Sequence, residues 1–369
     1  MSRLPFMKST HKKIPVGILG ATGMVGQRLI SLLENHPWFE VVCVAASERS
    51  VGKSYMKAVG SRWTQQKAIP KNISKLLVYS VEHDVEIIAE KARFVFSAIE
   101  AKEEFIKQVE EAYALAGIPV VSNNSAHRWT DDVPMIIPEI NPNHLQMIAV
   151  QRKKRGWGNG FIITKPNCSI QCCVPILHIW RKFEPQEVIV STYQAVSGAG
   201  KTLKTWPEMV DTVIPYIKGE EEKSEKEPSK IWAEIKNGRF KLSTIPKISA
   251  NCIRVPVTDG HMAAINITFK KEISKDELIG AIHNFQNPLD KLQLPSAPRP
   301  FITYFEEDDR PQTRLDRDLL GGMGISVGRI RKDSVLSWKC VTLVHNTLRG
   351  AAGGSVLSAE LLLKTGYIH

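Results

Sequence analysis

Two hydrophobic periodicities divide this chain. In the first half, short apolar runs alternate with stretches whose apolar residues recur at helical spacing. Ile14–Leu19 reads as a strand, Gln27–Glu34 as a helix and Val41–Ala45 as a second strand. Arg93–Ile99 is another strand, Lys102–Leu115 a helix with an apolar stripe, and Ile118–Val121 and Phe161–Thr164 two further strands. Strand and helix in alternation predict a doubly wound parallel sheet. Beyond residue 165 the pattern changes. Ile170–Trp180 reads as a helix, while Val188–Ala195, Ala263–Phe269 and Trp338–Leu343 alternate as half-buried strands do. These predict an α+β unit with a mainly antiparallel sheet. The charge-dense tract 220–230 reads as helical and Ser355–Lys364 as a closing amphipathic helix. The expected organisation is α/β: a Rossmann-like, doubly wound domain over 1–165, to which 346–369 returns, and a second, α+β domain over 166–345. Asp131–Asn143 and the basic, Gly-rich 151–160 are expected to be loop and connector.

The first strand runs straight into Gly20-Ala-Thr22-Gly23-Met24-Val25-Gly26. Glycines at a strand-to-helix turn let backbone approach a pyrophosphate, which then rests on the helix N-terminus. A strand before, a helix after and a second strand at the right remove make this a dinucleotide site. The second strand ends in Ser47-Glu48-Arg49-Ser50. A guanidinium flanked by hydroxyls suits a ribose 2′-phosphate, so NADP is expected over NAD, with Glu48 turned away.

A second junction follows Phe161–Thr164. Pro166 ends the strand because it has no N–H to give, Asn167 makes the turn, and Cys168 precedes the apolar run. A thiol at a helix N-terminus is expected to ionise easily, somewhere within roughly pH 3.5–7.5, and to act as a nucleophile. The alternative is a small buried hydrophobe. Cys168 and Cys172 share a helical face, but no further His/Cys pair stands at ligand spacing, so no metal site is expected.

The chain has 369 residues, enough for two domains with a sizeable core. Its six cysteines lack paired spacing, as in a reducing compartment. No apolar run reaches the ~18 residues of a membrane span. A cytoplasmic protein with no membrane partner is expected. The first 13 residues read as a basic leader, and Met7 is a possible start. The net charge of +11 is scattered except for Gln151–Arg155, and no nucleic-acid motif accompanies it, so no nucleic-acid partner is expected. Anionic ligands account for part of the surplus.

A dinucleotide turn, an activated cysteine and His261 in a Gly-flanked loop together describe aldehyde oxidation through a thioester. The stretches GILGATGMVGQR, AASERSVGK, KPNCS, STYQAVSGAG, PYIKGEEEK, RVPVTDGHM and HNTLRGAAGGSVLSAE resemble, in order and across nearly the whole chain, the aspartate-β-semialdehyde dehydrogenases of the archaeal and fungal branch. Lys165 departs from that pattern, in which Asn is more usual. The resemblance implies that Cys168 attacks the substrate, His261 moves a proton, Asn167 holds the oxyanion and Gln194 positions the substrate. It implies that Arg254 binds the α-carboxylate, Glu220 the α-ammonium, and Lys223 and Arg128 the phosphate, with Asn123 beside them. Glu220 is chosen over Glu221 and Glu222 from a Glu-x-x-Lys pattern. Ser97, Ser197, Gly198, Gly200 and Asn346 would join the glycine turn and Ser47, Arg49 and Ser50 in holding NADP. A homodimer or homotetramer is implied. The competing reading is a related acyl-thioester reductase such as malonyl-CoA reductase, which has no use for an ammonium-binding Glu220.

Overall fold

The computed structural model describes residues 12–369, so most of the 13-residue leader lies outside the described residues. Six strands, β1 (Ile14–Leu19), β2 (Phe39–Ala46), β3 (Val78–Ser80), β4 (Phe94–Ser97), β5 (Val120–Ser122) and β6 (Ile162–Thr164), form one parallel sheet. Their order is β3-β2-β1-β4-β5-β6, so the chain reverses direction across the sheet between β1 and β4. Open α/β sheets bind ligands at such a switch point.

The sheet is apolar on both faces, as buried parallel strands must be. Ile18, Phe94, Phe96 and Val121 pack to one side, with Leu29 and with Val356, Leu357 and Leu361 of the last helix, Gly353–Lys364. Leu19, Val95 and Val120 point the other way, onto Val109 and Tyr113 of helix Glu103–Leu115.

The second sheet contains β7 (Pro185–Gln194), β10 (Lys247–Arg254), β11 (His261–Phe269), β12 (Ile302–Tyr304), β13 (Ile325–Lys332) and β14 (Trp338–Val344), in the order β10-β7-β11-β14-β13-β12. The three inner pairings are antiparallel and the two outer ones parallel. β11 alternates buried and half-buried residues along its length. Its buried set, Ala263, Ile265 and Ile267, packs with Ile176, Trp180 and Leu278. A separate hairpin joins β8 (Glu234–Lys236) to β9 (Arg239–Lys241) through Asn237 and Gly238, both at positive φ, the turn conformation that favours Asn-Gly.

Two local expectations are corrected. Residues 151–155, expected to open the connector 151–160, are instead the second half of a helix, Met147–Arg155, ended by a left-handed Gly156. Its buried face is narrow, so the dense lysines and arginines hid it. The helix expected over Ile170–Trp180 is broken. Ser169–Cys172 is a 3-10 turn, and only Val174–Ile179 is α-helical, with Pro175 in its first turn.

Candidate active site

The two sheets meet at the carboxyl end of β6. There the chain turns through Pro166 and Asn167 into Cys168. The Asn167 side-chain carbonyl accepts from the Ser169 N–H at 2.8 Å and from the Ser169 hydroxyl at 2.6 Å, which closes the turn. From the other sheet, Gln194 ends β7 and pairs with Arg254 at the end of the parallel β10. His261 opens β11 on the opposite side of β7. One end of the second sheet therefore offers an amide, a guanidinium and an imidazole to the sulfur.

Cys168 is half-buried, with Sγ 3.6 Å from His261 Nε2. His261 Nδ1 accepts from the Ala195 N–H at 3.1 Å. A neutral imidazole that accepts at Nδ1 carries its proton on Nε2, so it presents an N–H to the sulfur. A histidine that carries the thiol's proton away would need the other tautomer. Burial, and then the Arg254 charge, push His261 down to about 3, so the ring is neutral.

The thiol does not match its expected activation. Burial pushes Cys168 up to about 11, and the Glu220 charge adds to the effect. The 3-10 turn explains why the helix gives little help: four residues carry a much smaller dipole than a full α-helix. Cys172, on the same side, donates to the His261 carbonyl at 3.2 Å and packs in the core. Among the described residues no three His, Cys, Asp or Glu side chains gather as a metal site.

Helix Glu220–Ile231 supplies the carboxylates. Glu220 is 9% exposed and accepts from Asn167 Nδ2 at 3.0 Å, Lys223 Nζ at 2.9 Å and Gln194 Nε2 at 3.4 Å. Glu222 is exposed, and Glu221 accepts from the Cys252 N–H at 3.2 Å. Two turns on from Glu220, Glu227 accepts from the Asn167 N–H at 2.7 Å and pairs with Arg128 at 2.9 Å. Arg128 also donates to the carbonyls of Lys165 and Asn123, at 3.0 and 3.3 Å. Arg128 is thus tied into the frame, leaving Lys223 as the more accessible cation of the two. Sequence reading missed Glu227, although its spacing from Glu220 puts both on the buried face with Ser224 and Ile231.

Arg254 donates to the Ala195 carbonyl at 2.7 Å. A Cβ at Gly198 would stand 2.8 Å from the Arg254 guanidinium and 3.0 Å from the His261 ring, so only glycine lets this loop close over them. Gly200 ends the loop with left-handed backbone. Asn346 joins it to the C-terminal segment, donating to Ser197 Oγ at 2.9 Å and accepting from the Gly260 N–H at 2.8 Å. Asn123 accepts from Ser355 Oγ at 2.9 Å, while its buried amide nitrogen has no protein acceptor.

At the glycine turn a cavity of about 640 Å³ is lined by Gly20, Thr22, Gly23, Ser47, Arg49 and Ser50. Lys53, Arg62 and Glu100 also line it, and sequence reading named none of them. A Cβ at Gly26 would stand 2.4 Å from the Gly20 carbonyl, so the turn can close only on glycine. No side chain caps helix Met24–Leu33, whose first turn holds Met24 and Val25, so its leading N–H groups are available to an anion. Glu48 accepts from the Ser80 hydroxyl and so is held by a neighbouring strand end, away from a 2′-phosphate role. The donor set, with its cations and hydroxyls, fits a dinucleotide bearing an extra phosphate. Ser97 does not belong to this lining. It is fully buried and its hydroxyl accepts from Asn124 Nδ2 at 3.0 Å.

Known proteins resemble this chain in sequence and in fold. Residues 15–148 match the family model described as semialdehyde dehydrogenase, NAD binding domain, and residues 176–349 match semialdehyde dehydrogenase, dimerisation domain. The chain is 44% identical over 354 residues to an aspartate-semialdehyde dehydrogenase of Archaeoglobus fulgidus, covering 95% of this chain and 98% of that one. It is 40% identical over 369 residues to one of Aspergillus fumigatus, with 98% and 100% covered. The crystal structure of aspartate semialdehyde dehydrogenase with NADP from Candida albicans superposes with a TM-score of 0.86 at 36% identity, covering 97% of this chain and all of the other. Two family models placed over the two sheets, with full-length relatives behind them, settle the lineage: the chain belongs to the semialdehyde dehydrogenase family.

Proposed function

We propose that this chain interconverts β-aspartyl phosphate and aspartate β-semialdehyde with NADP(H), in aspartate-family amino-acid biosynthesis. The observation that carries the reading is the cluster at Cys168. It offers a nucleophile, a guanidinium for a carboxylate and a buried carboxylate for an ammonium within one contiguous network. Malonyl-CoA reductase chemistry gives Glu220 no partner.

In the reductive direction the Cys168 sulfur attacks the acyl carbon. A C–S bond forms, the C–O bond to phosphate breaks, and the departing phosphate takes up one proton. When bound, NADPH supplies the hydride that reduces the thioester. The oxygen that becomes negative then lies against the Nε2–H of His261 and the second N–H of Asn167 Nδ2, donors already aimed by Ala195 and Glu220. Collapse breaks the C–S bond, frees the aldehyde and returns the sulfur. Arg254 takes the substrate α-carboxylate in two parallel hydrogen bonds, Glu220 the α-ammonium and Gln194 fixes the orientation between them. Lys223, with Arg128 behind it and Asn123 nearby, takes the phosphate. Gly20, Thr22, Gly23, Met24, Val25 and Gly26 would hold the pyrophosphate, and Ser47, Arg49 and Ser50 the 2′-phosphate. Ser197, Gly198, Gly200 and Asn346 would border the nicotinamide.

The working division is an NADP-binding domain of residues 1–165 with 346–369, and a catalytic domain of 166–345. A cytoplasmic homodimer or homotetramer is assigned. The outer face of the second sheet supports it, with Ile189 and Tyr193 exposed at 45% and 36% beside half-buried Met262 and Ala264. The test is NADPH formation from aspartate semialdehyde, with and without phosphate and beside NAD⁺. Phosphate-dependent reduction of NADP⁺ is expected, and phosphate-independent turnover would overturn the reading.

A further inference from the structure

Helix Glu220–Ile231 places a carboxylate where the reaction calls for cations. A cavity of about 280 Å³ is lined by both cations assigned to the phosphate, Arg128 and Lys223, and by Glu227, Lys107, Ser125 and Thr130. Glu227 has no task in the chemistry above. A carboxylate on the wall of a phosphate site repels the ligand, so its presence there needs a physical reason.

The contacts of Glu227 supply one. The side chains of Arg128 and Glu227 are 7% and 1% exposed, with Arg128 Nη1 2.9 Å from Glu227 Oε1. The second oxygen accepts from the Asn167 N–H at 2.7 Å, so the carboxylate is fixed at both ends. Arg128 commits Nε to the Lys165 carbonyl at 3.0 Å and Nη2 to the Asn123 carbonyl at 3.3 Å. Lys230, one turn further along the helix, donates to the Arg128 and Thr130 carbonyls at 2.6 and 3.0 Å and holds the backbone of the same loop. Three of the five guanidinium N–H groups are therefore engaged, and the charge is offset by a carboxylate that water hardly reaches. Lys223 differs. Its partner Glu220 stands at 2.9 Å, but the lysine side chain is 34% exposed, and the substrate ammonium competes for that partner.

We propose that Glu227 is a positioning residue that masks Arg128. It keeps the guanidinium braced against the catalytic turn and leaves Lys223 to draw the phosphate, so that phosphate is held weakly enough to leave once the thioester has formed. Glu227 itself makes and breaks no covalent bond. The inference rests on the reading that phosphate is a substrate.

The test titrates inorganic phosphate calorimetrically into the protein with NADP⁺ bound, which keeps the dinucleotide cavity occupied. Glu227→Gln keeps the side-chain volume and removes the charge. It should tighten phosphate binding about tenfold, on the scale of one hydrogen bond to a charged group. The phosphate KM should fall in step while the NADP⁺ KM holds, and in the reductive direction phosphate should inhibit at correspondingly lower concentration. A brace with no masking role would lower kcat and leave or raise the phosphate KM, so unchanged or weaker phosphate binding overturns the inference. Removing both charges, Glu227→Gln with Arg128→Gln, leaves no orphan ion and decides where the single variant does not fold. Its phosphate affinity should stay within about threefold of the unmodified protein, because a masked cation adds little, and a larger loss overturns the masking. A distinct failure, in which the unmodified protein takes up no phosphate and turns over without it, overturns the substrate reading and the inference with it.

Discussion

Glu139 and Arg349 hold the catalytic turn in place, and separating them should cost more than any surface change. The two side chains are 0% and 2% exposed. Arg349 donates from both terminal nitrogens to the Glu139 carboxylate, at 2.5 and 2.9 Å. Its Nε reaches Gln171, in the 3-10 turn after Cys168, at 3.2 Å, and its guanidinium stacks 5.2 Å from the centre of the Phe301 ring. Glu139→Gln keeps the volume but leaves a buried cation unpaired. Removing one partner of a buried ion pair costs about 3–5 kcal/mol. For a cooperative unit of 150–250 residues each kcal/mol lowers Tm by about 2–4 °C, so a drop of roughly 6–20 °C is expected by calorimetry. Replacing both partners with apolar residues, Glu139→Leu with Arg349→Met, should recover much of that loss, since no orphan charge remains. Turnover should fall in the single variant at temperatures where it is folded, because Arg349, no longer fixed by Glu139, holds Gln171 less firmly. A Tm change under about 2 °C in Glu139→Gln, or a double variant as unstable as the single one, would refute this reasoning.

Glu220→Ala should lower kcat/KM for aspartate semialdehyde by roughly 10–100-fold, as expected for a lost hydrogen bond between charged groups of about 1.5–3 kcal/mol; unchanged kinetics would favour a substrate with no ammonium. Arg49→Ala should raise the NADP KM by roughly 10–100-fold on the same scale and leave the NAD⁺ KM near its starting value, as measured by initial rates. Stability should fall as pH drops from 6.5 to about 4, because burial lowers His127 from 6.5 to about 4 and the unfolded chain binds a proton that the folded chain refuses. The slope is at most about 1.4 kcal/mol per pH unit for each such histidine, and His127→Asn should flatten it in urea titrations across that window.

Much of this architecture is legible in the residues themselves. β1, β2, β4 and β11 are apolar or alternating over enough positions for their period to be read. The glycine turn could be named because Gly20 and Gly26 meet backbone that no Cβ can approach. Edge strands were harder. β10 and β13 carry Lys and Arg among their apolar residues, as edge and near-edge strands do, and their alternation was lost in the charge. Helix Met147–Arg155 was hidden in the same way.

At the site, residue types were legible and their pairings were not. That Glu227 neutralises Arg128, or that Ser97 turns to Asn124, depends on contacts between segments far apart in the chain. The thiol's ionisation was misjudged for a related reason. A helix was read through Pro175, and burial by distant segments cannot be seen from the local sequence.

The most direct measurement is mass spectrometry of the protein mixed with β-aspartyl phosphate in the absence of NADPH. An aspartyl adduct that is cleaved by hydroxylamine and maps to Cys168 alone, absent from Cys168→Ser, is the predicted result. No adduct, or one carried on another residue, would contradict the account.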